Sequence, residues 1–378
     1  MDALSKTMRS LVAPKHCKPA GYTVVDLPLP EITNPADVII RVHAGAIMFG
    51  DCQRAAGSVL TTQFKETYVA SQTLHTFPMK IGVEGAGIIA AVGRDVKDFK
   101  VGDAVYGQAA TRPIFTGPDR GFCSEYAIAP ARVLLPKPPH MTFEEAASLA
   151  GYTVTAYQTI KRGLEIAGVD SLEGMTVYIP GALSGGGFSA IQVAKNVFGA
   201  ARIISTVSTP KIPLVERYLP GLVDQLVDYT TTNVADAVPR GSVDFMINTQ
   251  LATLSPGIPL LKPRTGVIAS IASIAPSSLL RELLGPDRVP FWLAWILDLA
   301  QLWYAFKLRG TGIRHEFISG NPEIREDLER AGEIIATGKV KGVFRAVDLD
   351  DLESVRTECE KVNSLKGGIG RLVIRVKA

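Results

Sequence analysis

The sequence predicts an α/β protein of two domains, and three features of the chain support this. Its 378 residues exceed what one ordinary compact core holds. Short strand-like segments separated by Gly and Pro fill the first part, which is typical of a partly closed antiparallel domain. From Thr142 onward, strand and helix patterns alternate, as a doubly wound parallel sheet requires. Because the last segments return to the first pattern, we expect domain boundaries at 1–150, 151–319 and 320–378.

Each element follows from an apolar run between turn residues. In the first domain, the expected strands are Thr23–Leu27, Asp37–Val42, Gly87–Val92, Ala104–Tyr106 and Glu125–Ile128. Thr142 and Glu145 have the spacing of a capping box at the start of a long helix. The second domain is expected to contain the strands Thr176–Ile179, Arg202–Val207, Leu226–Val227, Val243–Ile247 and Gly266–Ser270, with the helices Phe188–Val197 and Ile212–Tyr218. The chain is expected to close with the helix Ile324–Thr337 and the strands Phe344–Val347 and Arg371–Val376.

The composition argues against a nucleic-acid-binding or secreted protein. The 40 basic residues nearly balance the 37 acidic ones, and a net charge of +3 gives no field that would recruit a polyanion. The four cysteines lack C-x-x-C or any other metal-ligand spacing, which indicates free thiols in a reducing compartment and no structural zinc. The N-terminal residues do not resemble a secretory signal. We therefore expect a cytoplasmic protein.

One apolar segment departs from the general pattern. The sequence VPFWLAWILDLAQLWYAF (289–306) contains all three tryptophans, but Asp298 and Gln301 interrupt it, and it barely reaches the length of a membrane-spanning helix. Three interpretations stay open: a buried or dimer-facing helix, a helix lying on a membrane surface, and a lid over a substrate. The chain is accordingly expected to be a monomer or a homodimer, with peripheral membrane contact through 289–306 as one alternative.

A glycine-rich segment, IPGALSGGGFSAIQVAK (179–195), lies between a predicted strand and an amphipathic helix. Residues without a Cβ allow a tight turn and the close approach of a pyrophosphate to the backbone. The helix N-terminus then offers N–H groups and the positive end of the helix dipole to phosphate oxygens. The alternative is a packing turn between strand and helix. The pattern predicts a dinucleotide site with the contacts Gly181, Ser184, Gly185, Gly186, Gly187 and Phe188.

The end of the next strand indicates which dinucleotide to expect. An Asp or Glu at this place would bind the free ribose 2′-hydroxyl of NADH, but Ser208, Thr209 and Lys211 stand there instead. Hydroxyl and ammonium groups suit a 2′-phosphate, so we expect NADPH as the cofactor. For Lys211, the alternative is a solvated lysine at the start of a helix.

Five segments of the chain carry a resemblance to a known family. They are MKIGVEGAGIIAAVGRDVKDFKVGDAVYG (79–107), GFCSEYAIAP (121–130), MTFEEAASLAGYTVTAYQTI (141–160), the glycine loop, and LKGGIGRLVIRV (365–376). In this order they resemble the medium-chain dehydrogenase/reductase superfamily, and within it the zinc-independent quinone oxidoreductases and the enoyl reductases, trans-acting ones included. The resemblance covers nearly the whole chain. It implies a GroES-like, partly open β-barrel catalytic domain and an inserted Rossmann domain.

The departures from the family pattern concern the metal and the loop. Zinc-dependent members hold their catalytic metal with a Cys and a His, at positions that correspond here to Met48 and Val83. A thioether and an isopropyl group do not replace these ligands, so we expect no catalytic zinc. Ser184 replaces a loop glycine, and its hydroxymethyl group either narrows the approach to the pyrophosphate or forms a hydrogen bond with it.

Without a metal to polarise a carbonyl, the expected reaction is hydride transfer from NADPH to an activated C=C bond of an enone, a quinone or an enoyl thioester. Conjugation in the acceptor delocalises the charge, so the protein has to orient the acceptor and supply a proton. By resemblance, Met48 and Thr155 line the nicotinamide pocket. Tyr152 is a candidate proton donor, and solvent is the alternative.

Further candidate positions surround the expected cofactor. By resemblance, Tyr229 lies near the adenosine phosphate. Asn248 and Thr249 end one strand and Ile271 follows the next, at the carboxyl edge where such sheets bind ligands. We interpret Glu84 and Asp103 as structural, in a buried pair or a turn.

The substrate is expected to be bulky and apolar, such as a polyketide chain presented by a carrier protein. The segment 56–77 and the tryptophan-rich segment are the expected walls, since long loops at such sites set specificity. The candidate contacts are Phe64, Tyr68, His75, Trp292 and Trp295. Two other function classes stay open: a non-redox cyclase or isomerase on the same fold, and a membrane-associated binding protein without turnover.

Overall fold

The structure, a computed structural model, describes residues 7–57, 77–109, 111–112, 120–366 and 368–376. The chain divides into two units. Unit 1 comprises Met1–Gly151, Pro322–Gly332 and Gly342–Ala378, and unit 2 comprises Tyr152–Asn321 and Glu333–Lys341. Three predicted substrate contacts, Phe64, Tyr68 and His75, lie outside the described residues.

Unit 1 is built mainly of antiparallel strands. Its seven-stranded sheet has the order β15-β16-β3-β5-β6-β8, with β7 also pairing with β3, and a second sheet has the order β2-β1-β4. The strands are β1 (Thr7–Ala13), β2 (Thr23–Pro28), β3 (Asp37–Ile47), β4 (Met79–Lys80), β5 (Glu84–Val92), β6 (Ala104–Gln108), β7 (Tyr126–Pro130), β8 (Leu134–Pro136), β15 (Phe344–Asp348) and β16 (Arg371–Arg375). Two helices, α1 (Phe49–Ala55) and α10 (Leu352–Ser364), accompany them.

The core of unit 1 follows from the alternation of β3. Val38, Ile40 and Val42 are fully buried and pack with Phe122 and Leu372 in one apolar cluster. A strand with every second residue apolar buries one face of its sheet, which is the pattern that the sequence shows here.

Unit 2 contains a six-stranded parallel sheet with the order β11-β10-β9-β12-β13-β14. Its strands are β9 (Thr176–Ile179), β10 (Arg202–Val207), β11 (Gln225–Asp228), β12 (Phe245–Asn248), β13 (Val267–Ser270) and β14 (Arg314–Phe317). The helices from residue 143 onward are α2 (Phe143–Ala167), α3 (Gly185–Asn196), α4 (Ile212–Tyr218), α5 (Val234–Ala237), α6 (Leu254–Gly257), α7 (Ser277–Leu284), α8 (Phe291–Leu308) and α9 (Arg325–Ala336). The boundary between the units falls within α2 and within α9.

This strand order confirms the predicted doubly wound parallel sheet. The strands β9 and β10 and the helix α4 have the bounds that the sequence predicts. At the start of α2, the Glu145 N–H donates to the Thr142 hydroxyl at 3.1 Å, as expected for a cap. Nine strands and α-helices have no counterpart among the predicted elements, and they are β1, β4, β8, β14, α1, α5, α6, α7 and α10.

The segment 289–306, interpreted as a buried or dimer-facing helix, is exposed over most of its surface. The segment forms α8, but only Leu293, Ala294 and Leu297 of this helix are buried, while Trp295 is 71% exposed. None of the helices in the described part of the chain is long and apolar enough to cross a membrane.

Candidate cofactor site

The glycine loop lies at the point where the strand order of the unit 2 sheet changes direction. Strands β9 and β12 are neighbours, and the chain proceeds from β9 to β10 on one side and from β12 to β13 on the other. Open α/β sheets bind ligands beyond the carboxyl ends of their strands at such a switch point. The glycine loop follows β9 and Asn248 ends β12, so both predicted contacts belong to this place.

The Ser184 hydroxyl organises the loop from within. It accepts a hydrogen bond from the Gly187 N–H at 3.1 Å and donates to the Gly181 carbonyl oxygen at 2.8 Å, so Ser184 is the N-cap of α3. The first N–H groups of a helix have no intrahelical acceptor. Ser184 accepts from the Gly187 N–H, and the N–H groups of Gly185 and Gly186 belong to the same first turn of α3. The hydroxyl therefore bonds to the loop backbone, which neither sequence alternative for Ser184 anticipates.

The surroundings of each loop glycine differ, and so does the structural reason for glycine at each position. Gly181 has a φ of +76°, in the left-handed region that favours glycine. A Cβ at Gly187 would lie 2.2 Å from the Gly181 carbonyl oxygen, so no larger residue fits there. At Gly186, by contrast, the nearest atom to such a Cβ is Ile271 Cδ1 at 3.2 Å, followed by Thr249 Cβ at 3.8 Å. The roomier side of the loop thus faces Thr249 and Ile271, both of which are predicted contacts.

Gln250 is a residue of the site that the sequence reasoning missed. Its side-chain amide donates to Ser184 Oγ at 3.0 Å, and a Cβ at Gly181 would lie 2.7 Å from Gln250 Nε2. The preceding Thr249 donates its hydroxyl to the Pro180 carbonyl oxygen. Together, Thr249 and Gln250 hold the end of β12 against the loop. The only signal in the sequence is that Gln250 directly follows two predicted contacts.

Asn248 connects the ends of two strands. Its side chain is fully buried and donates to Ser270 Oγ and to the Ala272 carbonyl oxygen, each at 3.0 Å. The side-chain oxygen of Asn248, Oδ1, accepts from the Thr253 hydroxyl at 2.6 Å. These bonds connect the end of β12 to the residues on both sides of Ile271, and the role of Asn248 as a direct cofactor contact stays a prediction.

The predicted contacts for a 2′-phosphate lie together at the ends of β10 and β11. Ser208 and Lys211 bracket a short 3₁₀ turn, in which the Lys211 N–H donates to the Ser208 carbonyl oxygen at 2.9 Å. The exposed Tyr229 follows β11, and its N–H donates to the Val207 carbonyl oxygen. The loop is tied to the same strand, because the Gly181 N–H donates to Thr206 Oγ1 at 3.0 Å.

An acidic residue, Asp228, also belongs to this group. Its carboxylate accepts from the hydroxyl groups of Thr209 and Thr230. These two hydrogen bonds lower the pKa of Asp228, which keeps it ionised. Asp228 ends β11, so the residues that follow β10 in the sequence do not reveal this neighbouring charge.

The predicted catalytic residues lie in different surroundings. The Tyr152 ring packs on the glycine loop, since a Cβ at Gly185 would lie 2.3 Å from Tyr152 Cε2. Thr155, one turn further along α2, contacts the backbone at Gly320. In unit 1, Met48 precedes α1, and its N–H donates to Asp51 Oδ2 at 2.9 Å.

Three predicted contacts have positions that the sequence did not anticipate. The Phe188 side chain is buried in the core and its N–H donates to the Ser184 carbonyl oxygen. Phe188 lies within α3, past its first turn residues, and its role as a cofactor contact stays a prediction. Trp292 and Trp295, predicted as substrate contacts, are exposed on α8.

The contacts of Glu84 and Asp103 in unit 1 agree with the interpretation of both as structural residues. Glu84 and Arg371 form a buried ion pair. Desolvation raises the pKa of Glu84, and the neighbouring Arg371 opposes this shift. Asp103 accepts from the Lys100 N–H in a turn, at 2.9 Å. Within the described ranges, no three His, Cys, Asp or Glu side chains are grouped so that they could hold a metal ion.

Comparison with known proteins adds to this geometry. Residues 34–139 match the alcohol dehydrogenase GroES-like domain. The chain is 32% identical over 244 residues to a 2-methylene-furan-3-one reductase of Solanum lycopersicum, and 30% identical over 248 residues to an NADPH-dependent alkenal/one oxidoreductase of Arabidopsis thaliana. These matches cover 62% and 66% of this chain and 58% of each relative, so the chain spans little more than half the length of either one.

A solved structure shows the same fold over the full length. The quinone oxidoreductase of Coxiella burnetii superposes with a TM-score of 0.72 at 23% sequence identity, covering 98% of this chain and all of the other. The GroES-like match in unit 1, the strand order of unit 2 and these relatives agree with one another. The chain thus contains an alcohol dehydrogenase GroES-like domain and has the fold of a quinone oxidoreductase.

Proposed function

We propose that this chain is a zinc-independent reductase that binds NADPH and reduces an activated C=C bond of an enone, a quinone or an enoyl thioester. The observation that carries the proposal is the loop 181–187, which brings the first turn of α3 to the switch point of the sheet. The names of the tomato and Arabidopsis relatives, which refer to furanone, alkenal and enone substrates, support the reaction class.

The residues present fit a dinucleotide. The N–H groups of Gly185 and Gly186 would hold the pyrophosphate, and the space beside Gly186 is bordered by Thr249 and Ile271. The bound nicotinamide would supply a hydride. The chain itself orients the two partners, and Tyr152 at the loop is the candidate that would hold the proton for the product. A proton from solvent is the alternative.

The choice of NADPH depends on the ends of β10 and β11. Ser208, Thr209 and Lys211 would bind the 2′-phosphate, with Lys211 supplying the positive charge. Asp228 opposes this, because its carboxylate lies on the Thr209 hydroxyl. We propose that binding of the phosphate takes over the Thr209 hydroxyl, so Asp228→Asn should strengthen NADPH binding and leave NADH binding unchanged.

Fluorescence titration with NADPH and NADH tests the cofactor assignment. We expect the wild type to bind NADPH more tightly and Lys211→Glu to weaken NADPH binding far more than NADH binding. The matched control is Lys339→Glu, which reverses the charge of another exposed lysine of unit 2. Equal effects of Lys211→Glu on the two coenzymes would contradict the 2′-phosphate assignment.

A substrate screen tests the reaction. Loss of NADPH absorbance with enones, quinones or enoyl thioesters, including carrier-bound ones, is the expected result. A protein that binds NADPH and consumes none with any of these acceptors would contradict the reductase assignment and favour a non-redox activity.

A further inference from the structure

Helix α8 is held to unit 2 by polar side chains as well as by its buried apolar residues. Asp298 accepts from the Ser277 hydroxyl at 2.9 Å, and the Gln301 amide donates to the Ile274 carbonyl oxygen at 2.9 Å. The Tyr304 hydroxyl accepts from the Ile274 N–H at 3.1 Å. These bonds fix the rotation of the helix about its axis. The polar groups of α8 are therefore used within the unit, although the outward side of a surface helix is normally the polar one.

The outward side of α8 is apolar and exposed. Its most exposed residues recur at intervals of three and four, which places them on one side of a helix. Together they form the α8 face, which consists of six residues that are each at least half exposed: Phe291, Trp295, Leu299, Leu302, Trp303 and Phe306. Trp292 and Ile296 border this face and are also exposed.

The area of the α8 face is large for an uncovered surface. At about 200 Å² for a whole aromatic side chain, the exposed fractions of its four aromatic residues alone amount to roughly 500 Å². Leu299 and Leu302 bring the total above about 600 Å², the upper end for the largest apolar patch of a typical monomer. Patches of this size mark contact sites for another surface.

Basic residues are concentrated at the carboxyl end of α8. Lys307 and Arg309 are exposed there, and the backbone of the exposed Arg264 is joined to the same turn, because its N–H donates to the Thr311 carbonyl oxygen at 2.7 Å. The Lys307 ammonium lies 4.7 Å from the centroid of the Trp303 ring, so it borders the α8 face. Arg264, Lys307 and Arg309 are called the basic cluster below.

The carboxylates of the adjoining strands are already paired with other cations. Asp244, just before β12, forms an ion pair with Lys262 at 2.6 Å. Glu316, in β14, forms one with Arg162 at 2.8 Å. At the amino end of α8 the charges balance, with two basic and two acidic residues close together in the sequence: Arg281, Glu282, Asp287 and Arg288. The excess of positive charge is therefore at the carboxyl end of the helix.

This combination of an apolar face and a basic border fits an anionic lipid surface. A helix that lies on a membrane buries its apolar side about 5–10 Å deep, at the boundary between headgroups and acyl chains, and negative lipids attract its basic residues. Tryptophan rings are enriched at that depth. The apolar stem of Lys307 packs beside Trp303, an arrangement that lets the ammonium reach the headgroups.

A protein partner fits the α8 face less well. Protein–protein interfaces contain about one hydrogen bond per 100–200 Å² of buried area, so a face of this size would need several polar groups. The polar groups of α8 are bound within unit 2 instead. The acyl boundary of a bilayer requires no directional partners.

We infer that the α8 face docks onto the surface of an anionic phospholipid bilayer, with the basic cluster at the headgroups. The inference is independent of the proposed reaction, since lipid binding is measured without coenzyme or substrate. It also connects the lipid surface to the candidate cofactor site, because Gln301 and Tyr304 hold Ile274, three residues beyond Ile271.

Co-sedimentation of the whole chain with vesicles tests the role of the α8 face. The wild type should pellet with vesicles of phosphatidylcholine and phosphatidylserine and stay in the supernatant without vesicles. Trp295→Glu combined with Leu302→Glu should raise the dissociation constant at least about 100-fold, because it removes apolar area and adds two negative charges. Both residues are exposed, so circular dichroism should show an intact fold. The matched control is Val169→Glu, an exposed apolar residue of unit 2 outside α8, which should bind as the wild type does.

Neutralisation of the basic cluster tests the role of the lipid charge. Arg264→Gln, Lys307→Gln and Arg309→Gln together should weaken binding to the phosphatidylserine vesicles about 100-fold, at about fivefold for each charge. Their weaker binding to pure phosphatidylcholine should be unchanged. Lys339→Gln, which neutralises an exposed lysine elsewhere in unit 2, is the control for Lys307→Gln alone and should have no effect.

Three results would overturn the inference. The first is a wild type that binds neither kind of vesicle, or binds both equally well. The second is a vesicle-bound protein that the combined Trp295→Glu and Leu302→Glu changes leave bound. The third is self-association in sedimentation equilibrium that is lost in the same variant while the wild type ignores vesicles, which would assign the α8 face to a second copy of the chain.

Discussion

Replacement of Ser184 by alanine separates a cofactor loop from a packing turn. The Ser184 hydroxyl bonds to Gly187, Gly181 and Gln250 at 2.8–3.1 Å, and Ser184→Ala removes all three bonds while keeping the Cβ. Loss of an N-cap of this kind costs about 1 kcal/mol, and the Gln250 amide deprived of its acceptor costs about 1 kcal/mol more. We therefore expect the free energy of unfolding of unit 2 to fall by about 2 kcal/mol.

The effect on the cofactor is distinct from the effect on stability. Without its cap, the loop has to be ordered again when NADPH binds. If the cost of ordering the loop lowers the free energy of NADPH binding by about 1.4 kcal/mol, the dissociation constant for NADPH rises about tenfold. Thr142→Ala is the matched control, because it removes the cap of α2 and costs about 1 kcal/mol without touching the loop.

Urea unfolding and NADPH fluorescence titration on the same samples provide the two measurements. Ser184→Gly adds a third case, since glycine keeps the loop open and replaces the cap at a cost of only a few tenths of a kcal/mol, while the lost Gln250 bond again costs about 1 kcal/mol. If the hydroxymethyl group obstructed the cofactor, Ser184→Gly would bind NADPH more tightly than the wild type. A stability loss in Ser184→Ala with unchanged NADPH binding would show that the loop is a packing turn.

Three other predictions follow from single side chains. Arg371→Met leaves Glu84 buried without its partner and should lower the free energy of unfolding by about 3–5 kcal/mol in urea titrations; Glu84→Gln added to it should recover part of the loss, and no recovery would contradict the pairing. Burial lowers the pKa of His315 from 6.5 to about 4, so its contribution to stability is complete above pH 6.5 and is lost as the pH falls toward 4, by at most about 3 kcal/mol. His315→Gln should flatten that pH dependence, and an unchanged profile would exclude His315 as its source. Tyr152→Phe keeps the ring on Gly185 and should preserve NADPH binding, with turnover lost only if the phenol is the proton donor, whereas Tyr152→Ala should weaken NADPH binding as well.

The fold was predictable because its strands are local apolar runs between turn residues. Thr176–Ile179 and Arg202–Val207 are short and largely apolar, and Pro180 and Ser208 follow them, so their limits agree with the structure. The edge strand Arg314–Phe317 was missed because its sequence, RHEF, is largely polar. An edge strand needs little burial, and it therefore lacks the pattern on which the prediction relied.

The candidate site was predictable where the backbone itself is the functional group. The glycine loop is visible in the sequence, since small residues are concentrated there. The roles of Gln250 and Asp228 depend on which strands become neighbours, and no local pattern encodes that. The inward face of α8 was unpredictable for a related reason, because a helix that is apolar nearly all round gives no periodicity from which to choose a side.

The concentration of every tryptophan of the chain in α8 has an experimental consequence. Indole emission from this protein would come from that helix alone, with no contribution from unit 1 or from the rest of unit 2. A shift of the emission maximum upon dilution, or upon addition of a coenzyme or lipid, would therefore report on a single identified element without any engineered label.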